Sequence, residues 1–185
     1  MTSSRYDAVA ITLHWVIALG IGLQIVMGWG MTHLPLPMAQ KFWIYQFHKS
    51  VGITVLLAVV VRVLWRFTHK PPALPEAMPR LERAAATGTH HLLYTLMFVV
   101  PLAGWAVVSL SPYNIPTVLY GLIPWPDLPV FGANKAVVEP MAETVHSWAA
   151  YIIAAVVVVH AAAALRHQFC LRDGILRRMI PFLKE

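Results

Sequence analysis

The sequence predicts an all-α fold, a transmembrane four-helix bundle with both termini cytoplasmic, and three observations predict it. Of 185 residues, 58% are hydrophobic and only 12% are charged, about half the ~25% charge of an average soluble domain. The apolar residues gather in four windows, 9–31, 42–65, 91–110 and 145–165, each near the ~20 residues that carry a helix across ~30 Å of hydrocarbon. The basic residues are divided unequally between the two sides that such a bundle would have. Arg5, Arg62, Arg66, Lys70, Arg80, Arg83, Arg166, Arg172, Arg177, Arg178 and Lys184 fall on the side of the termini, against Lys41, Lys49 and Lys135 on the other. The positive-inside rule assigns the richer side to the cytoplasm.

Each window is expected to be helical because a backbone exposed to lipid must satisfy its own hydrogen bonds. The first window exceeds a signal-peptide apolar run and no small-x-small cleavage site follows it, so it is expected to stay in the mature protein. It ends near THLPLP, where Pro35 and Pro37 forbid continuation and turn the chain back into the second window. Between the second and third windows, THKPPALPEAMPRLER is proline-rich and charged, an exposed connector expected to end in a short amphipathic piece. Pro101 should kink the third helix and free the carbonyl of Met97. The stretch 111–140 mixes six prolines with Tyr113, Tyr120, Trp125 and Phe131. It reads either as an ordered cap over the outer mouth of the bundle or as a plain interfacial loop of the kind aromatic belts form.

The single cysteine, Cys170, excludes an internal disulfide and the C-x-x-C-H attachment of covalent haem. The net charge of +6 sits at helix ends and in short segments, so nucleic acid is not an expected partner.

What does not suit a lipid-facing segment is histidine. In the fourth window His146 and His160 are fourteen residues apart, ~21 Å along a helix and within about 40° of the same stripe. By distance from the helix ends, His14 in the first window lies level with His160, and His48 in the second lies level with His146. One such histidine reads first as a helix-to-helix hydrogen-bonding group. Four at two matched depths read as two ligand layers, since intramembrane ionisable groups are costly. Structural zinc wants about four protein ligands and a di-iron centre wants glutamates, and neither set is present. Haem iron, gripped axially by two histidines, fits the count.

Several further residues are candidates for the same sites. Gly28 follows His14 by fourteen residues and Gly52 lies one turn from His48. Either could clear room for a porphyrin or simply let helices approach. Arg62 follows His48 by fourteen residues, placed to pair with a haem propionate or to snorkel to the interface. His90 and His91 open the third window; His90 or Tyr94 could touch a propionate or a quinone head group, or His90 could serve as a capping residue. His33, His69 and His167 read as interfacial.

The motifs ITLHW, FHKSVG followed by VVRVLWR, HHLLYTLMFVVPLAGW and HSWAAYIIAAVVVVHAAAALRH resemble those of the bacterial cytochrome b561 family, and the resemblance spans essentially the whole chain. It implies two b-type haems, ligated by His14 with His160 and by His48 with His146, and electron exchange with ubiquinone in the bacterial inner membrane. Oxidation of superoxide at the outer face is one activity proposed within the family. Whether the chain is itself an oxidoreductase of that kind is left open, as is its electron donor. Where family members carry glutamate after the first histidine of helix four this chain has Ser147, and an outer-surface acid–base role there is not implied. Lys41, Lys49 and Lys135 are balanced in number by Asp127, Glu139 and Glu143, so net charge alone gives no steering of an anion. The alternatives are an anchor subunit relaying electrons for a periplasmic dehydrogenase and, from another class, a non-haem proton or solute transporter using the histidines as a relay.

Overall fold

A computed structural model describes residues 5–75, 77–130 and 134–180. Phe131 and Lys184, used in the sequence reading, lie outside the described residues. Four long helices carry the fold: α1 (Ala8–His33), α2 (Met38–Thr68), α3 (Arg80–Leu110) and α4 (Lys135–Arg166). All four are long and apolar enough to cross a membrane.

Every helix contains its apolar window and runs beyond it, because hydropathy marks the oily part of a helix and capping marks its ends. Asp7 caps α1, its Oδ1 accepting from the Ala10 amide at 2.9 Å, while Pro37 and Pro79 precede α2 and α3 and cannot extend them backward. The amphipathic piece expected before the third span is continuous with α3, which starts at Arg80, ten residues before His90. Its Leu81 and the alanine run 84–86 favour helix, and nothing separates them from the apolar part. Helix α4 likewise begins at Lys135, inside the stretch taken for loop, and tolerates Pro140 near its start. Helix α3 continues through Pro101.

The rest of the 111–140 stretch contains an antiparallel hairpin, β1 (Thr117–Leu119) and β2 (Ile123–Trp125). Tyr120 and Gly121 both have positive φ, 53° and 74°, the backbone that twists a tight turn to match its strands. The hairpin is pinned to α2: Ser50 Oγ accepts from the Tyr120 amide at 2.9 Å, and Thr54 Oγ1 and the Tyr120 hydroxyl lie 2.8 Å apart. Ser109 of α3 holds the following segment, its Oγ accepting from the Leu128 amide at 2.9 Å. Of the two sequence readings, the ordered cap is the one observed.

Helix α1 packs along α2 and α3 along α4, with a lighter contact between α2 and α3. Among the described residues α4 has only marginal backbone contact with α1 and α2. Between apolar helices in lipid, close backbone approach replaces the hydrophobic effect as the driving force. Gly20 shows it, since a Cβ there would stand 2.6 Å from Val55 Cγ2. The shared core includes Ile17, Val55, Val59, Leu96 and Ile153. Only 11–28% of each membrane window is buried within the protein; most of the remainder is surface for lipid. Beyond α4 a π-turn (His167–Leu171) and left-handed Arg172 reverse the chain. The segment folds back beneath the bundle, where the Met179 carbonyl accepts from Trp15 Nε1 at 2.8 Å and the Ala73 carbonyl from Arg178 at 2.6 Å.

Candidate functional site: two imidazole pairs across the bundle

The four intramembrane histidines meet in two pairs, and both pairs join helices whose backbones stay apart. His48 of α2 faces His146 of α4 with ring centroids 6.2 Å apart and planes at 79°. His14 of α1 faces His160 of α4 at 6.3 Å and 62°. An N–H···N hydrogen bond near 2.9 Å would bring ring centres to about 5 Å, and no such bond links either pair. A metal between them requires two bonds of ~2.0–2.1 Å plus about 1 Å from each nitrogen to its ring centre, or about 6 Å in all. The spacing matches a metal with one imidazole on each side. Among the described residues no cluster of three or more His, Cys, Asp or Glu side chains could hold a metal ion, so a metal here would be held by the two imidazoles and by whatever group carries it.

The outer pair is positioned by backbone. His146 Nδ1 lies 2.9 Å from the Val100 carbonyl, which can only accept, so Nδ1 carries the proton and Nε2 presents its lone pair. The ring fits because residue 104 is glycine: a Cβ there would stand 2.8 Å from His146 Cε1 and 2.9 Å from its Nδ1. Across the gap, His48 Nδ1 is buried with no hydrogen-bond partner. The Gln24 side chain of α1 instead donates to the His48 carbonyl at 3.0 Å. The amide reaches that position because Gly52 is bare; a Cβ on it would approach Gln24 Nε2 to 2.8 Å. Gly28 lies beside the outer pair, where a Cβ would meet His48 Cε1 at a tolerable 3.7 Å.

The inner pair is set among charge. Arg62 is hydrogen-bonded to two neighbouring helices. Its Nε donates to the Tyr94 hydroxyl at 3.1 Å and its Nη1 to the Ala10 carbonyl at 3.0 Å, tying α2 to α3 and to α1 one turn before His14. The guanidinium of Arg66 lies over the Tyr94 ring, 5.6 Å from its centroid, a cation–π distance. His90 stands 5.5 Å from His160, ring to ring, at 67°. It is not a capping residue, because α3 is already in its third turn there. Neither His14 nor His160 has a hydrogen-bond partner on its ring among the described residues. The remaining histidines stay peripheral: His33 and His69 stack on Trp29 and Trp65, and His167 pairs with Asp173.

Sequence reasoning missed Gly104, Val100 and Gln24. Spacing exposes residues on the stripe of a histidine in the same helix, whereas these three act from neighbouring helices whose rotation the sequence does not state. The motif HHLLYTLMFVVPLAGW did contain Val100 and Gly104, but without a partner to clear for, the glycine carried no message.

A family model described as prokaryotic cytochrome b561 matches residues 5–182. The chain belongs to this family. Among curated relatives, cytochrome b561 homolog 2 of Escherichia coli (strain K12) is 30% identical over 180 residues, covering 97% of this chain and 93% of the relative. A probable superoxide oxidase, CybB, of Yersinia pestis is 26% identical over 96% of each chain. Cytochrome b561 homolog 1 of Escherichia coli (strain K12) is 23% identical over 96% of this chain and 98% of the relative. As a prokaryotic cytochrome b561, the chain is a multi-pass bacterial membrane protein of electron transfer, and its family carries b-type haem.

Proposed function

We propose that this cytochrome b561 moves electrons across the bacterial inner membrane through two haems b, one held by His48 and His146 and the other by His14 and His160. The observation that carries the reading is the pair of imidazole gaps, 6.2 and 6.3 Å between ring centres, each wide enough for one axially ligated metal. Gly28 lies beside the His48 ring, where a bound group would pass close to its backbone. When bound, haem supplies a one-electron iron couple whose potential follows axial ligation, burial and hydrogen bonding.

The chain's own work is to orient and to insulate. Val100 fixes the tautomer of His146, Gly104 gives its ring room, and the hairpin over α2 and α3 covers the outer end of the bundle. Arg62 is positioned to meet an acidic haem edge with a charge-assisted bond. On the α4 stripe, the two ligand positions are ~21 Å apart, so electrons cover most of the ~30 Å core without a mobile carrier.

Both termini are cytoplasmic in this reading, on the distribution of Lys and Arg. The acceptor is ubiquinone, and superoxide at the periplasmic face is a donor on the strength of the relative named a probable superoxide oxidase. Family membership favours a cytochrome over a non-haem proton or solute transporter. A reduced-minus-oxidised spectrum with haem quantified per polypeptide tests the proposal. Two haems per chain are expected; one haem, or two fully low-spin haems retained in His160→Ala, would overturn the pairing.

A further inference from the structure

On the side of the termini, a cleft of about 710 Å³ opens between the start of α1, the end of α2, α3 and the returning C-terminal segment. Its volume is that of a small-molecule site, ~300–1,000 Å³, and its walls are unusually cationic. Among the described residues Arg62, Arg66, Lys70 and Arg178 line it together with one carboxylate, that of Asp7. That carboxylate is committed elsewhere, its Oδ1 accepting from the Ala10 amide at 2.9 Å and the Trp65 indole at 3.1 Å. Arg66 and Arg178 make their contacts to the face of a ring and to a neutral carbonyl oxygen, neither of which is an anion. The ion pairs Arg166–Glu82 and His167–Asp173 lie outside the cleft.

The cleft sits where α1 begins and α2 ends, so it belongs at the level of the lipid head groups. A neutral quinone head would use one or two donors and leave most of this charge idle. A phosphodiester uses it fully, through charge-assisted bonds to several guanidinium and ammonium groups, and basic pockets between helices at that level are suited to anionic lipid heads. We propose that this cleft is a binding site for the phosphate head group of an anionic phospholipid, held by Arg66, Lys70 and Arg178. Lys70 and Arg178 come from the connector after α2 and from the C-terminal segment. A bound head group would therefore clamp these two segments together, adding to the Arg178 bond to Ala73.

The test is thermal stability of the purified holoprotein in neutral detergent, titrated with short-chain phosphatidylglycerol, phosphatidylcholine of the same chain length, inorganic phosphate, or a short-chain ubiquinone. Phosphatidylglycerol is expected to raise Tm by a few degrees and to saturate, as a ligand of the native state does, whereas phosphatidylcholine leaves Tm unchanged. In Lys70→Gln/Arg178→Gln, which spares Arg62 and Arg66, the apparent affinity should fall roughly tenfold or more with haem content and visible spectrum unchanged. Lys70→Arg/Arg178→Lys should retain the effect and guards against a variant that merely folds poorly. Equal response to both lipids, or an undiminished response in the glutamine pair, overturns the proposal. So does inorganic phosphate matching phosphatidylglycerol at equal concentration, which would mark a free-anion site, or stabilisation by the quinone alone. Because haem content is read separately, failure here is distinguishable from failure of the electron-transfer reading.

Discussion

The outer and inner imidazole pairs have nearly the same spacing, yet they are built from different materials. The outer pair is held by shape: a carbonyl for His146, an absent side chain at Gly104, a bare Gly52 for the amide that reaches the His48 carbonyl, and a hairpin above. The inner pair is surrounded by charge and hydrogen-bonding groups, with Arg62, Tyr94, Arg66 and His90 close by and an open cationic cleft beyond. Geometry at a ligand site can thus be set by removing atoms or by adding charge. The first fixes where a ligand stands, and the second biases which oxidation state of a bound metal is favoured.

The largest effect separates the two pairs outright. His48→Ala or His146→Ala is expected to remove one haem and leave the other, and His14→Ala or His160→Ala to do the converse, read as haem per chain and as loss of one component in a redox titration. Loss of both haems from any single replacement would show that the pairs are not independent.

Next comes the space at Gly104. Gly104→Ala forces a methyl to within 2.8 Å of His146 Cε1, and overpacking of this kind costs ~1–3 kcal/mol. The outer haem should be lost or turn high-spin while the inner spectrum is unchanged. Gly28→Ala is the informative partner, because its methyl would meet His48 at an ordinary 3.7 Å. If it still expels the outer haem, the clash is with the bound group; if it does not, Gly28 is there for packing.

A smaller effect is expected from the inner charge. Arg62→Met removes a cation that favours the reduced, less positive state of a nearby iron. The inner midpoint should fall by on the order of tens of mV, a few tenths to one factor of ten in the redox equilibrium at ~59 mV per tenfold. The outer midpoint should not move, and Arg62→Lys should recover most of the change.

The smallest effect is at the cap of α1. Burial opposes ionisation of Asp7, but hydrogen bonds from the Ala10 amide and the Trp65 indole outweigh it and hold its carboxyl below the usual range. A depressed folded-state pKa means that this contribution is complete above the ordinary aspartate value of about 3.9. It is lost as pH falls through the lowered value. Asp7→Ala should lower stability by ~1 kcal/mol, typical of a lost N-cap, in thermal melts at neutral pH, with the difference shrinking below pH ~4.

Much of this was legible in the sequence because the bilayer simplifies the problem. Length and hydropathy give the four spans, and a fixed rise per residue turns spacing into depth, which brought His14 level with His160 and His48 level with His146. Depth is one coordinate of a site. The other, the rotation of each helix toward its neighbours, depends on packing, so Gly52 and Gln24, Gly104 and His146, and Arg62 and Tyr94 could be matched only in three dimensions. The hairpin escaped for a local reason: its strands have three residues each, one contains Pro124, and its turn places a tyrosine at positive φ. The amphipathic piece before the third span was legible, but its continuity with α3 was not, because hydropathy marks only the apolar part of a helix.

The bundle's division into two tight helical hairpins bears on how the protein is made. Helices α1 and α2 can enter the bilayer as one unit and α3 and α4 as another, to be joined by the lighter α2–α3 seam and by the apolar core that Ile17, Val55 and Ile153 share. A metal group bound between the histidine pairs would add a bridge to α4. Chains synthesised under haem starvation should therefore hold this seam less firmly and be cut more readily by membrane proteases.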